Sequence, residues 1–376
     1  MDLERIKEKL KKYDQMQLLK YYDELDEEAA QNLLKQIDET DFDVLSSIKT
    51  GGTNNERGVI SPIESMELPE IDARRAEFRK IGIQAIRNGE IGAVLLAGGM
   101  GTRLGSDDPK GMYDIGITKH VYIFQRLIEN LQKVVDEAGA YVPLYIMTSD
   151  KNHEKTVNFL TEKDFFGYKS EYVHFFKQEM APASDYEGHI FLEEKGRLST
   201  SPNGNAGWYV SMVRAGLAKK AMDDGVKFLN IFAVDNVLQQ IADPDFIGAV
   251  IDGNYVSGAK VVRKAARDEK VGAMCLEDGR PSIVEYYEMT DELMDAKNEK
   301  GDPAYNFGVI LNYLFSIEEL ERIVKNNLPL HVVEKKPHYD LIASAVFFAA
   351  SIGFMVLCFC AGIYMITVMR KEDADD

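Results

Sequence analysis

Residues 91–111 read IGAVLLAGGMGTRLGSDDPKG, a short apolar run that passes directly into a glycine-rich segment. The run at 91–97 has the length of one strand in a sheet that is buried on both faces. The glycines after it predict a tight turn in which backbone N–H groups can approach an anion without obstruction by a Cβ atom. We therefore predict a strand that ends in a phosphate-binding loop. A purely structural turn is the alternative that these residues leave open.

The chain on both sides of this stretch predicts an α/β sheet covered by helices. Short apolar runs alternate with amphipathic segments, which is typical of that fold class. A helix is predicted at 74–87, and further strands are predicted at 142–147, 227–234, 258–262 and 283–287. Ligands of open α/β sheets bind at the carboxyl ends of the strands. The residues that follow three of these strands, Gly98, Thr148 and Asp235, are therefore candidates for a site.

The N-terminal region predicts helices. Leu3, Ile6 and Leu10 recur at steps of three and four residues, and Asp26 precedes a second such run as a candidate N-cap. We interpret residues 1–74 as a helical lobe and linker, with the main domain at 75–340.

Charge and cysteine content narrow the class of protein. The chain of 376 residues has 44 basic and 62 acidic side chains and a net charge of -18, so general nucleic-acid binding is not expected. Three cysteines without zinc-ligand spacing indicate a reducing compartment rather than a disulfide scaffold. The first ten residues are charged rather than apolar, so no secretory signal is expected and the main domain is placed in the cytoplasm.

Residues 341–369 differ from the rest of the chain because they form 29 consecutive positions without a charge. As a helix they would be roughly 43 Å long at 1.5 Å per residue, more than the ~30 Å of a hydrocarbon core. We predict a transmembrane helix here, followed by a short charged tail at 370–376. A buried helix of a soluble protein is the alternative.

Two familiar phosphate-binding motifs fit the glycine-rich segment badly. A Walker loop requires Ser or Thr directly after its lysine, but Gly111 follows Lys110. The Rossmann fingerprint requires a third glycine where this chain has Arg103. Arg103 and Lys110 instead supply two cations beside the loop.

The block LLAGGMGTRLG at 95–105, followed by PKGMYD at 109–114, resembles the signature of the UDP-N-acetylhexosamine pyrophosphorylases, within the wider UDP-sugar pyrophosphorylase family (UDPGP type 1). Further family-like segments follow in the expected order. They are FFKQEM at 175–180, LEEK at 192–195, SPNGNAG at 201–207, VDN at 234–236, IADP at 241–244, VEY at 284–286 and YNFG at 305–308. The resemblance extends from the N-terminal helices to about residue 340.

The resemblance implies a fold and an activity. The fold would be a doubly wound mixed α/β sheet with a glycosyltransferase-A-like nucleotidyltransferase core. The family transfers a uridylyl group from UTP to a sugar 1-phosphate with Mg²⁺, which yields a UDP-sugar and pyrophosphate. UDP-N-acetylglucosamine is the first expected product, and UDP-glucose or UDP-galactose is the alternative. A membrane-anchored protein that binds UDP-sugars without turnover is a further alternative, because the apolar run stands where the family continues with another phosphate-contacting lysine.

The resemblance also implies roles for single residues. Arg103 and Lys110 would be catalytic and stabilise the phosphates, Asp235 would hold Mg²⁺, and Glu285 and Asn306 would contact the sugar. The implied nucleotide-binding residues are Gly98, Gly99, Gly101, Thr102, Gln178, Gly204 and Asn205, with Gln178 on the uracil edge.

Each of these roles has a structural alternative, and the sequence departs from the family at two positions near the assigned residues. Asp235 could cap a turn, and Glu285 could be an outward-facing strand carboxylate. Ala206 stands where the family's loop commonly has glycine, which would narrow the sugar pocket by one methyl group. Val309 replaces an asparagine often found after Gly308, which removes one potential sugar contact.

Overall fold

The computed structural model describes residues 2–40, 42, 57–185, 187–202 and 207–324. These residues form two compact units. The first unit contains the described parts of residues 1–56 and 178–210, and the second contains residues 57–177 and the described part of 211–325. The chain therefore leaves the second unit after Lys177 and returns to it at Ser211.

Helices and strands alternate along much of the described chain. The helices are α1 (Leu3–Lys12), α2 (Glu27–Glu39), α3 (Leu68–Arg87), α4 (Ile123–Ala138), α5 (His153–Glu162), α6 (Trp208–Arg214), α7 (Leu217–Asp223), α8 (Pro244–Asp252), α9 (Asp291–Asp295) and α10 (Ile317–Val324). The strands are β1 (Ile60–Ser61), β2 (Ile91–Leu96), β3 (Leu144–Thr148), β4 (Val173–Lys177), β5 (Met180–Pro182), β6 (Leu192–Glu194), β7 (Arg197–Leu198), β8 (Thr200–Pro202), β9 (Phe228–Ala233), β10 (Ser257–Arg263), β11 (Ala273–Glu277), β12 (Arg280–Val284) and β13 (Phe307–Ser316). Two short 3₁₀-helices, Thr102–Leu104 and Lys110–Met112, lie between β2 and α4.

In the first unit, α1 and α2 bury their apolar faces in one core. Ile6, Leu10 and Leu33 are each 0% exposed, as their helical spacing predicts. The predicted N-cap at Asp26 is confirmed, because its carboxylate accepts the N–H of Ala29 at 2.8 Å.

Gln15 fastens the N-terminal segment to the 178–210 part of the same unit. Its side chain is fully buried, and its amide group is nonetheless satisfied. Nε2 donates to the carbonyl of Gly188 at 2.7 Å, and Oε1 accepts the N–H of Ile190 at 3.0 Å. A buried amide with both ends paired stabilises the contact between two distant parts of the chain.

The second unit is built on a nine-stranded mixed sheet in which β9, β2, β3 and β4 are consecutive parallel neighbours. On the other side of β9 the order continues through β13 and β11 to β1, and all of these pairs are antiparallel. Strands β10 and β12 pair with β13 and β11. Strands β2 and β3 are buried along their whole length, which explains their continuous apolar sequence. This unit is the mixed α/β sheet that the sequence predicts.

Strand β13 changes partners at an irregular position. Gly308 pairs with Ala273 of β11, whereas Asn312 and the residues after it pair with β9. Between them Leu311 has a φ of 52°, a left-handed conformation that is rare for a leucine. The register against β10 shifts at the same place, so a bulge allows one strand to serve both halves of the sheet.

Helices α3 and α8 cross in close contact, and two glycines make the approach possible. A Cβ atom on Gly82 would lie 2.0 Å from the carbonyl oxygen of Pro244, and one on Gly248 would lie 1.8 Å from that of Phe78. Beside this crossing, the buried carboxylate of Asp245 accepts hydrogen bonds from Arg75 at 2.7 Å and from Arg79 at 3.0 Å. Replacement of either glycine by a residue with a Cβ atom would force the two helix backbones apart.

The predicted elements agree with most of the structure. The strands predicted at 91–97, 142–147, 227–234 and 258–262 are confirmed as β2, β3, β9 and β10, and the helix predicted at 74–87 is the later part of α3. The strand predicted at 283–287 is wrong, because β12 ends at Val284. The carbonyl of Glu285 accepts the N–H groups of Glu288 and Met289, so the backbone turns there. Alternating apolar and aromatic residues do not reveal such a turn.

The predicted membrane helix at 341–369 lies outside the described residues. Within the described ranges up to Val324, each helix is too short or too polar to cross a membrane.

Candidate functional site

The parallel strands β9, β2 and β3 end at one edge of the sheet. Leu96 is in register with Ala233 of β9 and with Met147 of β3. The ladder continues slightly beyond the strands, because Ala97 donates to Met147 at 2.8 Å and Val234 donates to Leu96 at 3.1 Å. The residues that follow these strands, including the predicted Gly98 and Asp235, are therefore brought to the same edge.

Two backbone hydrogen bonds close the glycine-rich loop. Gly101 donates to the carbonyl of Asp108 at 2.7 Å, and Lys110 donates to the carbonyl of Gly99 at 3.2 Å. The 3₁₀-helix that begins at Thr102 fills the loop, and Gly105 follows it with a φ of 75°. Glycine is the residue best suited to that left-handed conformation. These hydrogen bonds and the 3₁₀-helix give the loop a defined backbone structure.

The loop presents five backbone N–H groups that no acceptor takes among the described residues. They belong to Gly98, Gly99, Met100, Thr102 and Arg103. A concave run of unpaired N–H groups is an established binding element for phosphate oxygens. The structure therefore supplies the donor groups that the sequence predicts for this loop.

The loop glycines are required for different reasons. A Cβ atom on Gly101 would lie 2.9 Å from the carbonyl oxygen of Asp108, so this position needs glycine for the fold. A Cβ atom on Gly99 would meet no atom within 4 Å. The space at the Cβ position of Gly99 is therefore open.

Lys110 and Asp235, the predicted phosphate cation and the predicted metal ligand, form an ion pair. The Lys110 side chain is 21% exposed, whereas that of Asp235 is 61% exposed. Lys110 begins the second 3₁₀-helix, and the next residue packs under α4. A Cβ atom on Gly111 would lie 2.3 Å from the ring of Phe124, which explains why glycine follows the lysine.

Arg103 offers a second cation at this edge. Its side chain is exposed on the first 3₁₀-helix, next to Thr102. Within the described part of the chain, no carboxylate lies in ion-pair distance of its guanidinium group. Arg103 is thus available to an anionic ligand.

A buried amide network fixes the segment after β9, which carries Asp235. Asn230 donates to Asn312 at 2.9 Å and accepts the N–H of Ala242 at 2.8 Å. Asn312 in turn donates to Gln239 at 3.3 Å, and Gln239 donates to the carbonyl of Ala233 at 2.7 Å. The three amide side chains are nearly or fully buried, so their hydrogen bonds rigidify the turn. The sequence analysis missed these residues because amides at 230, 239 and 312 share no local motif.

Asp114 is a second residue that the sequence analysis did not single out. Its carboxylate accepts the N–H groups of Gly116 at 2.9 Å and Val121 at 3.0 Å, and it contacts the ring of His120. The hydrogen bond from His120, followed by those from Val121 and Gly116, lowers the pKa of Asp114 to about 2. Asp114 therefore closes the loop that follows the Pro-Lys-Gly segment.

The remaining predicted residues have different surroundings. Gln178 follows β4 directly and is 9% exposed, and its Nε2 has no hydrogen-bond partner among the described residues. The side-chain oxygen of Asn306 accepts the N–H of Lys264 at 3.0 Å, so this residue supports its own turn. Gly204 and Asn205, with Ala206, lie outside the described residues.

Glu285 and Val309 both lie close to Gly272. A Cβ atom on Gly272 would lie 3.3 Å from Oε2 of Glu285 and 3.3 Å from a methyl carbon of Val309. The residue that departs from the family pattern is therefore close to the carboxylate predicted to contact the sugar. Within the described residues, no basic side chain pairs with Glu285.

Comparisons with known proteins show which family this chain is similar to. The chain matches the family described as UTP–glucose-1-phosphate uridylyltransferase over residues 68–373. It is 34% identical over 351 residues to UDP-N-acetylglucosamine pyrophosphorylase of Saccharomyces cerevisiae, across 89% of this chain and 72% of the relative. It is 33% identical to UDP-N-acetylglucosamine diphosphorylase 2 of Arabidopsis thaliana, across 88% of this chain and 70% of the relative.

A solved structure supports the same relationship at the level of the fold. The uridine diphosphate N-acetylglucosamine pyrophosphorylase from Trypanosoma brucei, determined with an inhibitor, superposes with a TM-score of 0.75 and 26% identity. The superposition covers 88% of this chain and 70% of that protein. The residues matched by the family model include the glycine-rich loop, Lys110 and Asp235, and they extend beyond Val324, the last described residue.

Proposed function

Because the chain belongs to the UTP–glucose-1-phosphate uridylyltransferase family, we propose that it transfers a uridylyl group from UTP to a sugar 1-phosphate. A phosphate oxygen of the sugar phosphate attacks the α-phosphorus of UTP, and the bond from that phosphorus to the pyrophosphate oxygen breaks. The products are a UDP-sugar and pyrophosphate. The observation that carries this proposal is the loop of unpaired N–H groups beside Lys110 and Asp235.

N-Acetylglucosamine 1-phosphate is the proposed sugar substrate. The relatives from yeast and Arabidopsis, at 34% and 33% identity, are named for UDP-N-acetylglucosamine. Glu285 would accept hydrogen bonds from sugar hydroxyl groups, because its carboxylate has no competing cation among the described residues. Asn306 would contribute its amide group while its oxygen holds the N–H of Lys264.

The reaction brings two anions together, so catalysis depends on positioning and charge neutralisation. The N–H groups of Gly98, Gly99 and Thr102, with Gly101 shaping the loop, would bind phosphate oxygens of UTP. Arg103 and Lys110 would stabilise the charge that develops on the leaving pyrophosphate. Lys110 is already held at this edge by Asp235, so it needs only a local shift to reach the phosphates.

Asp235 fits a role as the protein's ligand to Mg²⁺. Mg²⁺ in nucleotide sites is commonly held by one or two carboxylates, with phosphate oxygens and water as the other ligands. The Asp235 carboxylate is 61% exposed at the sheet edge, so phosphates and water can reach it. The ion would supply charge neutralisation when bound, and Lys110 would then exchange its contact with Asp235 for one with phosphate.

Gln178 is proposed to recognise the nucleobase. Gln178 has a buried Nε2 without a hydrogen-bond partner among the described residues, and a uracil carbonyl would provide the missing acceptor. Gly204 and Asn205, which lie outside the described residues, are proposed on sequence grounds to contact the uridine.

An assay of pyrophosphate release tests the proposal. Purified protein is given UTP and Mg²⁺ with N-acetylglucosamine 1-phosphate, glucose 1-phosphate or galactose 1-phosphate in separate reactions. We expect release to be fastest with the first. Folded protein that releases no pyrophosphate with any of the three would contradict the proposal, and UDP-sugar binding by calorimetry without turnover would indicate the binding protein instead.

We also propose, from the sequence alone, that residues 341–369 anchor the chain in a membrane with its catalytic part in the cytoplasm. The support is the 29-residue run without a charge, followed by Arg370 and Lys371. Fractionation of cells that express the full chain tests this, and recovery of all the protein in the supernatant would contradict it.

A further inference from the structure

Asn152 connects the turn between β3 and α5 to the glycine-rich loop. Its side chain is 0% exposed. Nδ2 donates to the carbonyl of Ala97 at 2.9 Å and to that of Gly99 at 3.3 Å, while Oδ1 accepts the N–H of Ser149 at 2.8 Å. One buried amide group therefore makes three contacts, two of them with the loop.

The local structure of α5 does not account for this asparagine. Asn152 occupies the N-cap position of that helix, where an asparagine side chain usually accepts an N–H of the first helical turn. Here the side chain makes no such bond. Its donors are directed to the loop, so its role lies there rather than in the start of the helix.

The two carbonyl groups that Asn152 holds belong to the peptide units that carry two of the unpaired N–H groups. The carbonyl of Ala97 shares a planar peptide unit with the N–H of Gly98, and the carbonyl of Gly99 shares one with the N–H of Met100. In a trans peptide these two groups point in opposite directions, and the described residues contain no cis peptide. Carbonyl groups held toward Asn152 thus turn both N–H groups away from it.

We propose that Asn152 is a positioning residue that orients the N–H groups of Gly98 and Met100 toward the phosphates of the nucleotide. This role rests on the proposed function, since it presupposes that the loop binds UTP. Asn152 does not touch the ligand itself. It fixes the donor geometry before binding, so the loop does not have to reorganise when phosphate arrives.

Two variants separate this role from a general effect on the fold. Asn152→Ala removes both donors, and Asn152→Asp keeps an acceptor for Ser149 but also removes the donors. If the two variants lose UTP affinity to the same extent, the negative charge that Asn152→Asp introduces is not the cause of the loss. Thr156→Val is the matched control, because Thr156 is equally buried one turn along α5 and its hydroxyl has no partner among the described residues.

Calorimetry with UTP and with uridine, which has no phosphate, provides the decisive comparison. We expect UTP affinity to fall about 10- to 30-fold in both Asn152 variants, because the hydrogen bonds that orient two phosphate donors are lost. Uridine affinity should change less than about 2-fold, and the control should bind both like the parent. An equal loss for UTP and uridine, or unchanged UTP affinity, would overturn the proposal.

Hydrogen exchange of backbone N–H groups, measured without ligand, tests independently of UTP whether Asn152 holds the loop in place. In Asn152→Ala, the N–H groups of Gly101 and Lys110, which close the loop, should exchange faster than in the parent and in Thr156→Val. Unchanged exchange at both would overturn the bracing role even if UTP binding fell. Parent protein that binds no UTP would refute the proposed function, and with it this role, whatever the exchange rates show.

Discussion

Lys110 and Asp235 are the two residues to which the proposed function assigns most of the chemistry. They are 125 positions apart in the chain and meet because β9 and β2 are parallel neighbours. Solvent reaches Asp235, so their ion pair contributes little to folding stability. In the proposed function, the pair holds a cation and a carboxylate at the place where the phosphates of the substrate would bind.

Replacement of Lys110 should therefore separate activity from stability. For Lys110→Met we expect kcat/KM for UTP to fall by about 10²- to 10³-fold, since a donor to the developing charge is lost. The free energy of unfolding in urea should change by less than about 1 kcal/mol. Lys155→Met is the control, because Lys155 pairs with Asp108 of the same loop at 2.9 Å but is assigned no contact with phosphate. Comparable losses in both variants would refute the assignment.

Substitution of glycine by alanine should have different effects at two positions of the loop, Gly99 and Gly101. Gly99→Ala places a methyl group where no protein atom lies within 4 Å, so stability should stay within about 0.5 kcal/mol of the parent. UTP affinity should fall at least about 10-fold, because the methyl group enters the space of the phosphates. Gly101→Ala should instead lower stability by roughly 1–3 kcal/mol, since its Cβ lies 2.9 Å from a carbonyl oxygen.

Urea unfolding and UTP calorimetry on the two glycine variants check this contrast. Parental UTP affinity in folded Gly99→Ala would show that the phosphates do not approach the loop at this point. Parental stability in Gly101→Ala would show that the loop can relax around the methyl group.

At the level of elements, the site depends on parts of the chain that pack around one edge of the sheet. The turn before α5 braces the loop through Asn152, and α4 supports it from below through the contact of Phe124 with Gly111. The segment after β9 is held by the amide network around Asn230. Because each support is buried, together they hold the loop and Asp235 in place.

His174 on strand β4 makes the folding stability depend on pH. Burial, and after it the charge of Lys220, lowers the pKa of His174, and the nearby Asp224 opposes this. Burial lowers the pKa of His153 on α5 in the same direction. The folded chain thus binds protons less readily than the unfolded chain. The resulting stabilisation is complete above the ordinary histidine pKa of 6.5 and is lost as the pH falls below it.

Urea unfolding at pH 7.5 and at pH 5.5 measures this effect. We expect the parent to be less stable at the lower pH, and His174→Gln, which cannot be protonated there, to lose less stability between the two conditions. An equal or larger loss in His174→Gln would show that His174 is not one of the groups responsible.

Sequence reasoning succeeded where one element determines its own structure. The apolar run at 91–97 forms β2, as predicted. The residues after the parallel strands, Gly98 and Asp235, were predicted as site candidates because ligands bind at the carboxyl ends of strands, and they lie at one edge of the sheet. It failed at Glu285, where hydrogen bonds of the backbone rather than side-chain periodicity end the strand. Asn152 illustrates a further limit. Its position at a helix start predicts a cap, and only the three-dimensional packing reveals that its donors reach the loop.

At the scale of the whole molecule, the net charge of the chain opposes the binding of an anionic nucleotide. Residues 341–376 contribute two basic and four acidic side chains, so the remainder of the chain retains a net charge of -16. The long-range field of such a chain repels UTP, and salt screens this repulsion beyond about 10 Å. In the proposed function, affinity for UTP would therefore come from short-range contacts, which are those of the loop donors, Arg103, Lys110, Gln178 and the Mg²⁺ that Asp235 would hold.

If residues 341–369 span a membrane, the free-energy cost of inserting a charged side chain should depend on how deep in the bilayer that side chain lies. Met355 lies at the centre of residues 341–369, whereas Met369 is the last residue before Arg370. An arginine at the centre of a spanning helix costs about 2.5–3.5 kcal/mol on insertion scales, but one at the end reaches the headgroups. Met355→Arg should thus lower the membrane-bound fraction of the full chain measurably, and Met369→Arg should leave it unchanged.

Flotation of the two variants with membranes, beside the parent and a chain without residues 341–376, measures this difference. The shortened chain should stay in the soluble fraction and keep its loop, because Gly98, Lys110 and Asp235 all belong to the second unit within its described residues. Equal flotation of Met355→Arg and Met369→Arg would contradict a spanning helix. Loss of folded protein in Met355→Arg without any membrane-bound parent would indicate that the segment is instead buried in the protein.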